Sequence, residues 1–241
     1  MENTIYLGLS RQMTLKTDLD IIANNVANIG TPGYRAQNLL FHEFISDPRG
    51  ADDELSFVYD EGQYEITAPG PIKQTGNSLD VSVMGPGFIG INGPGGETAY
   101  TRAGNFEMTP EGILITSAGF EVSGDGGGNI VIPDDAREIN IADNGDVSTQ
   151  NGVVGRIELV EFANLQELEP MGNNLYRTDA ATTPPANTRL RQGQLEGSNV
   201  KPVIEMTRMI DTLRSFQSMN NLLEGENTRL RTAIRQLTGQ N

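Results

Sequence analysis

The sequence predicts an α+β chain, with terminal α-helices paired as a coiled-coil domain beside a mainly antiparallel β body. Three observations predict it. The first 28 residues carry an apolar stripe at helical spacing, and a longer helical stripe follows residue 200. Between them, short alternating runs are broken by Gly, Pro, Asn and Asp. At 241 residues the chain has room for one large domain or two smaller ones. The expected organisation is a discontinuous helical assembly domain (1–35 and 200–241), an extended and loop-rich connection (36–78) and a β-rich body (79–199).

In the first helix Leu15, Leu19, Ile22 and Val26 step by four, three and four, the period of one helix over 2–28. Gly30, Pro32 and Gly33 then stop it near Asn28. Asn24, Asn25 and Asn28 sit where better helix formers would be expected. Their amides both donate and accept. They read either as cap residues of a frayed end or as a polar face that docks against another copy of the chain and sets its register.

Residues 36–78 mix Phe41, Phe44, Leu55, Phe57 and Val58 with acids and turn residues, so extended segments and loops are expected. The lone His42 reads as a surface or packed residue. From Leu79 the pattern is β: Leu79, Val81 and Val83 alternate with Asp80 and Ser82 as in a half-buried strand. Further short strands are expected at 88–91, 100–106, 113–116, 120–122, 130–132, 139–141 and 157–162, in a sandwich- or barrel-like body. Asn144 and Gly145 suit a hairpin turn. Residues 163–198 read as loop-rich, with Pro184 and Pro185 as a rigid spacer.

After Val200 the period is helical again, with Pro202 where a first turn tolerates it. A heptad seam follows. Its a positions are Met206, Leu213, Asn220, Asn227 and Ile234; its d positions are Met209, Phe216, Leu223, Leu230 and Leu237. Asn at a weakens a seam but fixes register and partner. The expected assembly interface joins Leu15, Leu19, Ile22, Asn24, Asn25, Val26 and Asn28 to Met209, Leu213, Phe216, Asn220, Leu223, Asn227, Leu230, Ile234 and Leu237.

Composition narrows the function. Net charge is -15, and residues 36–188 carry 24 acids against six bases. The basic residues after 189 alternate with an apolar stripe, so nucleic acid is not an expected partner. The chain has no Cys, which removes disulfides and thiolate chemistry. No apolar run is long enough to span a membrane, so an integral membrane protein is not expected. The opening has no basic n-region or long h-region, so no cleaved signal peptide is expected.

Gly85, Gly87 and Gly90 fit G-x-G-x-x-G, but the Gly- and Pro-rich residues after them cannot begin the helix that a dinucleotide site needs. Asp143, Asn144, Gly145 and Asp146 lack the later ligands of a calcium loop. One His supports no Ser-His-Asp set. An enzyme is therefore not expected, and no catalytic residue, metal, cofactor or small-molecule substrate is assigned.

These residues together resemble the axial proteins of the bacterial flagellum, the rod and hook family. Four ordered motifs carry the likeness: ANNVAN at 23–28 with TPGYR at 31–35; LDV at 79–81 with GPGF at 85–88; YTRAGNF at 100–106 with Gly112 and Leu114; and QLEGSNV at 194–200 with the helix start at 205–210. Length and opening suit the proximal-rod members. Distal-rod members usually read D-x-ANVNTTGFK at the first motif and are usually longer, and the hook protein usually carries larger inserted domains. Pro32 and Tyr34 depart slightly from the commoner residues. The resemblance implies a structural subunit of the basal-body rod whose terminal helices polymerise into a hollow, torque-transmitting shaft. It implies as partners the chain itself, other rod proteins and, during secretion without a cleaved signal, the flagellar export apparatus. It places the assembled protein in the periplasm. A different class remains beside it: a stand-alone β-rich adhesin-like binding module whose end helices form an intramolecular hairpin.

Overall fold

The structure, a computed structural model, describes residues 2–46 and 55–238, with side chains described over 5–41 and 62–236. His42, Phe44, Leu55, Phe57, Val58 and Leu237 lie outside the described side chains. Helix α1 spans Glu2–Ala27 and helix α2 spans Pro202–Thr238. After α1 the Asn28 carbonyl accepts the Thr31 N–H at 3.2 Å, and Pro32 with Gly33 at a φ of 68° prevents the helix from continuing. Pro202 stands first in α2, where its missing N–H is of no consequence. The chain is thus α+β, with a helix at each end and antiparallel sheets between.

Two compact units form. The first gathers Met1–Ala27, Gln37–Ile66 and Lys201–Asn241. Here α1 packs on α2 and on an antiparallel hairpin of strands Gln37–Ser46 and Leu55–Glu65, which bulges between Leu40 and Phe41. Ile21 and Ile22 of α1 and Leu39 of the hairpin are buried. These strands, in the stretch expected to be extended and loop-rich, therefore pack in the same compact unit as the helices.

The second unit is Asn28–Ala36 with Thr67–Val200. Its main sheet has eight strands; Phe88–Asn92 lies within it, between Thr98–Thr101 and Glu121–Val122, and also pairs with Leu159–Val160. Ile139–Ile141, Asp146–Thr149 and Gly152–Arg156 make a three-stranded sheet. Two further pairs join Val81–Met84 to Arg189–Gln192 and Ile72–Gln74 to Gln194–Glu196. An aliphatic core includes Val81, Ile89, Ile91, Leu114, Ile130 and Ile157. An aromatic cluster sets Phe88, Tyr100, Phe162 and Tyr176 edge to face at 4.9–5.7 Å between ring centres.

The body departs from the sequence reading in places. Residues 130–132 form no strand but meet neighbours through the isolated bridge of Val131 with Ile113. The run 100–106 is broken between Thr98–Thr101 and Phe106–Met108 so that Arg102 can turn inward. Asp80 and Ser82 are buried rather than facing water. Residues read as loop contain Glu169–Gly172 and Leu175–Arg177 as well as the strands at 189–192 and 194–196.

Candidate assembly interface

The first unit holds the residues expected at an assembly interface apart from Asn28, which belongs to the second. Helices α1 and α2 run antiparallel: Gln12 donates to Asn220 at 2.6 Å, and Asp18 accepts from Arg208 at 3.3 Å and from Thr212 at 3.0 Å. The seam follows the d positions. Met209, Phe216, Leu223 and Leu230 are half-buried, as are Leu15, Leu19 and Val26, while Ile22 is fully buried. Of the a positions, Asn220 is half-buried in its bond to Gln12, whereas Leu213, Asn227 and Ile234 are exposed along with Met206. Within the single chain the helix therefore packs on the d side of the expected a/d seam and leaves most of the a side exposed. Position 8 helps to fix this. A Cβ on Gly8 would lie 2.7 Å from Leu223 Cδ2, so glycine lets the helices approach there.

The helix pair is held by buried polar groups. Asn25 Nδ2 donates to the Gln37 carbonyl at 2.8 Å and to Glu205 at 3.3 Å, and its Oδ1 accepts the Gln37 N–H at 2.9 Å. Arg208 reaches Asn38 at 2.8 Å as well as Asp18 and Glu205. These three Asn25 bonds lie within its own chain and set the register of α1 against Gln37 and Glu205. Asn24 is exposed, and Asn28 Oδ1 accepts the Thr31 hydroxyl at 3.0 Å. Gly8 and Asp18 escaped the sequence reading, and Glu205 and Arg208 were read only as part of the motif at 205–210 and not as contacts of the helix pair. Only the i, i+3 spacing of Glu205 and Arg208 hinted at them, since their partners lie far along the chain.

Each helix of the pair leaves an apolar stripe exposed. On α2, Val203, Met206, Ile210 and Leu213 are exposed, with Met206 at 51% and Leu213 at 44%. On α1, Tyr6, Leu9 and Met13 form an exposed stripe at helical spacing, with Met13 at 65%. Solvent is a poor environment for so many large apolar groups on neighbouring turns.

The motif residues of the β body do something else. Arg102 is 1% exposed and all its donors are used: Nε and Nη2 bond Glu196 Oε2 at 2.9 and 2.7 Å, Nη2 also reaches the Val83 carbonyl, and Nη1 reaches those of Gly85 and Gly87. Arg35 and Arg102 both lie against the Phe88 ring, at 5.1 and 5.6 Å. The Gly33 N–H donates to the Glu196 carbonyl at 2.8 Å, and a Cβ on Gly33 would lie 2.5 Å from the Arg102 carbonyl carbon. Residues from all four sequence motifs therefore converge on one buried junction. That convergence is structural chemistry: a closed knot with no solvent-facing reactive group.

A groove of about 590 Å³ opens elsewhere on the body, lined by Asp143, Arg156, Glu158, Pro185 and Arg189 among others. Arg156 is paired with Asp146, which holds that carboxyl below its usual range, with a further bond from Asn144. Among the described residues no group of three or more His, Asp or Glu is placed to hold a metal ion. No described helix is long and apolar enough to cross a membrane.

Three family models match the chain: flagella basal body rod protein over residues 5–35, flagellar hook protein FlgE/F/G D1 domain over 82–149, and flagellar basal body rod FlgEFG protein C-terminal over 191–236. The chain is 40% identical to the flagellar basal-body rod protein FlgF of Caulobacter vibrioides over 98% of both chains. It is 33% identical to FlgF of Mesorhizobium japonicum over 92% of each. It is also 34% identical to the rod protein FlgG of Bacillus subtilis, over 92% of this chain and 94% of that one.

Proposed function

The chain belongs to the flagellar basal-body rod protein family, and we propose that it is a proximal-rod subunit of the FlgF kind, polymerising through its helix pair into the shaft that carries torque from motor to hook. The observation that carries this reading is the apolar surface left on α1 and α2 after they have packed on each other. Covering the exposed half of one such Leu, Ile or Met contributes on the order of 1 kcal/mol before ordering costs. A heterologous contact repeated along a helical path makes an open stack and not a closed ring. The antiparallel pair enters that stack preformed, so assembly covers its outer side and need not order both helices from scratch. Other rod proteins are the remaining partners, and the family resemblance adds the export apparatus and a periplasmic site. The role is mechanical and needs no catalytic group.

A distal-rod role is the second reading, favoured by the 34% identity to FlgG of Bacillus subtilis. Both readings predict the same first test. The chain has no Cys, so Leu213→Cys introduces a unique thiol on the exposed side. Maleimide should label it rapidly in the purified monomer and slowly in isolated basal bodies, read on its own peptide by mass spectrometry. Equal labelling in both would remove the interface. Imaging of basal bodies from a strain lacking the protein then separates proximal from distal by where the rod stops.

A further inference from the structure

Residues 194–199 precede α2 and are bonded to several parts of the β body. Gln194–Glu196 pairs with Ile72–Gln74. The Glu196 carbonyl accepts from Gly33, and its Oε1 accepts from the Gly70 N–H at 3.1 Å. Asn199 Oδ1 accepts the Ala36 N–H at 2.7 Å, and its Nδ2 donates to the Ala68 carbonyl at 2.8 Å. The segment thus ties together the stretch after α1, the stretch after the hairpin, and Arg102 in the middle of the body.

Arg102 makes this more than a set of bonds. Its other acceptors, the carbonyls of Val83, Gly85 and Gly87, carry no net charge, so Glu196 alone neutralises it among these contacts. Both side chains are 2% exposed or less, whereas Arg156 and Arg177, paired elsewhere in the body, are about half exposed. A guanidinium closed off from water without a counter-charge is strongly unfavourable. The body therefore has no good closed state until Glu196 arrives.

We infer that the Arg102–Glu196 pair is a folding lock: it makes closure of the whole β body conditional on residues 194–199, the last part of that body along the chain. A chain cut or stalled before residue 194 keeps its body open, and the segments leading to both helices are fixed in the same step that closes the core. This holds whatever the chain assembles with.

The test is native-state hydrogen exchange on the full chain, resolved by segment. In Glu196→Gln, the strands Val81–Met84 and Phe88–Asn92 should lose protection together with residues 194–199, with exchange roughly a hundredfold faster or more. The double variant Arg102→Met with Glu196→Met removes both charges, and should bring those strands back to within about tenfold of the parent. If Glu196→Gln loosens only residues 194–199 while the core strands keep parental protection, the lock is overturned. If Glu196→Gln does not fold at all, the double variant decides: recovery supports the lock, and failure shows that shape and not charge closes the body.

Discussion

Asn25 donates to the Glu205 carboxylate at 3.3 Å from one terminal helix to the other, and both side chains are buried. Those two residues lie 180 apart in sequence, so the contact reports the register of α1 on α2 directly. Asn25 also pairs both backbone groups of Gln37. Asn25→Leu should therefore lower stability itself, by about 2–3 kcal/mol, because buried partners lose their bonds. Thermal unfolding followed by circular dichroism measures this. A Tm within a degree of the parent would mean that Asn25 tunes register alone.

Gly8 is the close-approach point of the same pair. Alanine there gains about 1 kcal/mol of helix propensity and needs only the end of Leu223 to swing aside, so Gly8→Ala should leave the Tm nearly unchanged. Gly8→Leu has no such escape, and overpacking should cost about 1–3 kcal/mol. A Gly8→Leu chain as stable as the parent would show that the helices are not held tightly at this level.

The helices were legible because their signals are local. The spacing from Leu15 to Val26 and the Pro and Gly after Asn28 act within a few turns, and they give α1 to within a residue or so. The side of α2 that packs inward was not legible. A heptad read alone favours a/d, and the packing of d residues such as Leu223 depends on Gly8 in a helix some 200 residues away. The strands at 72–74 and 194–196 were missed for a similar reason: each is three residues long and is held by its distant partner. The motif residues were easy to see as motifs, but nothing in the chain said that Arg102 and Glu196 would meet.

The split between the two sides of α2 makes a paired prediction. Leu223 is half-buried against α1, so Leu223→Asp should destabilise the monomer by about 2–3 kcal/mol. Leu213 is exposed, so Leu213→Asp should change monomer stability by no more than about 0.5 kcal/mol while sharply reducing incorporation into rods. Chemical denaturation and quantitation of the protein in isolated basal bodies measure the two effects. Normal incorporation of Leu213→Asp would exclude that side of α2 from the interface.

Glu161 offers a prediction in pH. Its carboxylate accepts the Thr188 hydroxyl at 2.7 Å and the Asn187 N–H at 2.8 Å. These bonds, the Thr188 hydroxyl first, hold its pKa below the ordinary value of 4.5. Thr188 also accepts the Gly87 N–H at 2.9 Å, so the carboxylate anchors the loop holding Pro184 and Pro185 to the GPGF turn. A depressed folded pKa means that the contribution is present above the unfolded value and fades as pH falls through the folded one. The Asn187 and Thr188 amide resonances should therefore be flat from neutral pH down to the ordinary Glu range and titrate together below it. Glu161→Gln should abolish that titration and loosen the loop already at neutral pH. A shared midpoint at or above 4.5 in the parent would mean that these bonds do not favour the charged carboxylate, and the loop would then be held chiefly by the Glu161–Thr183 backbone pairing.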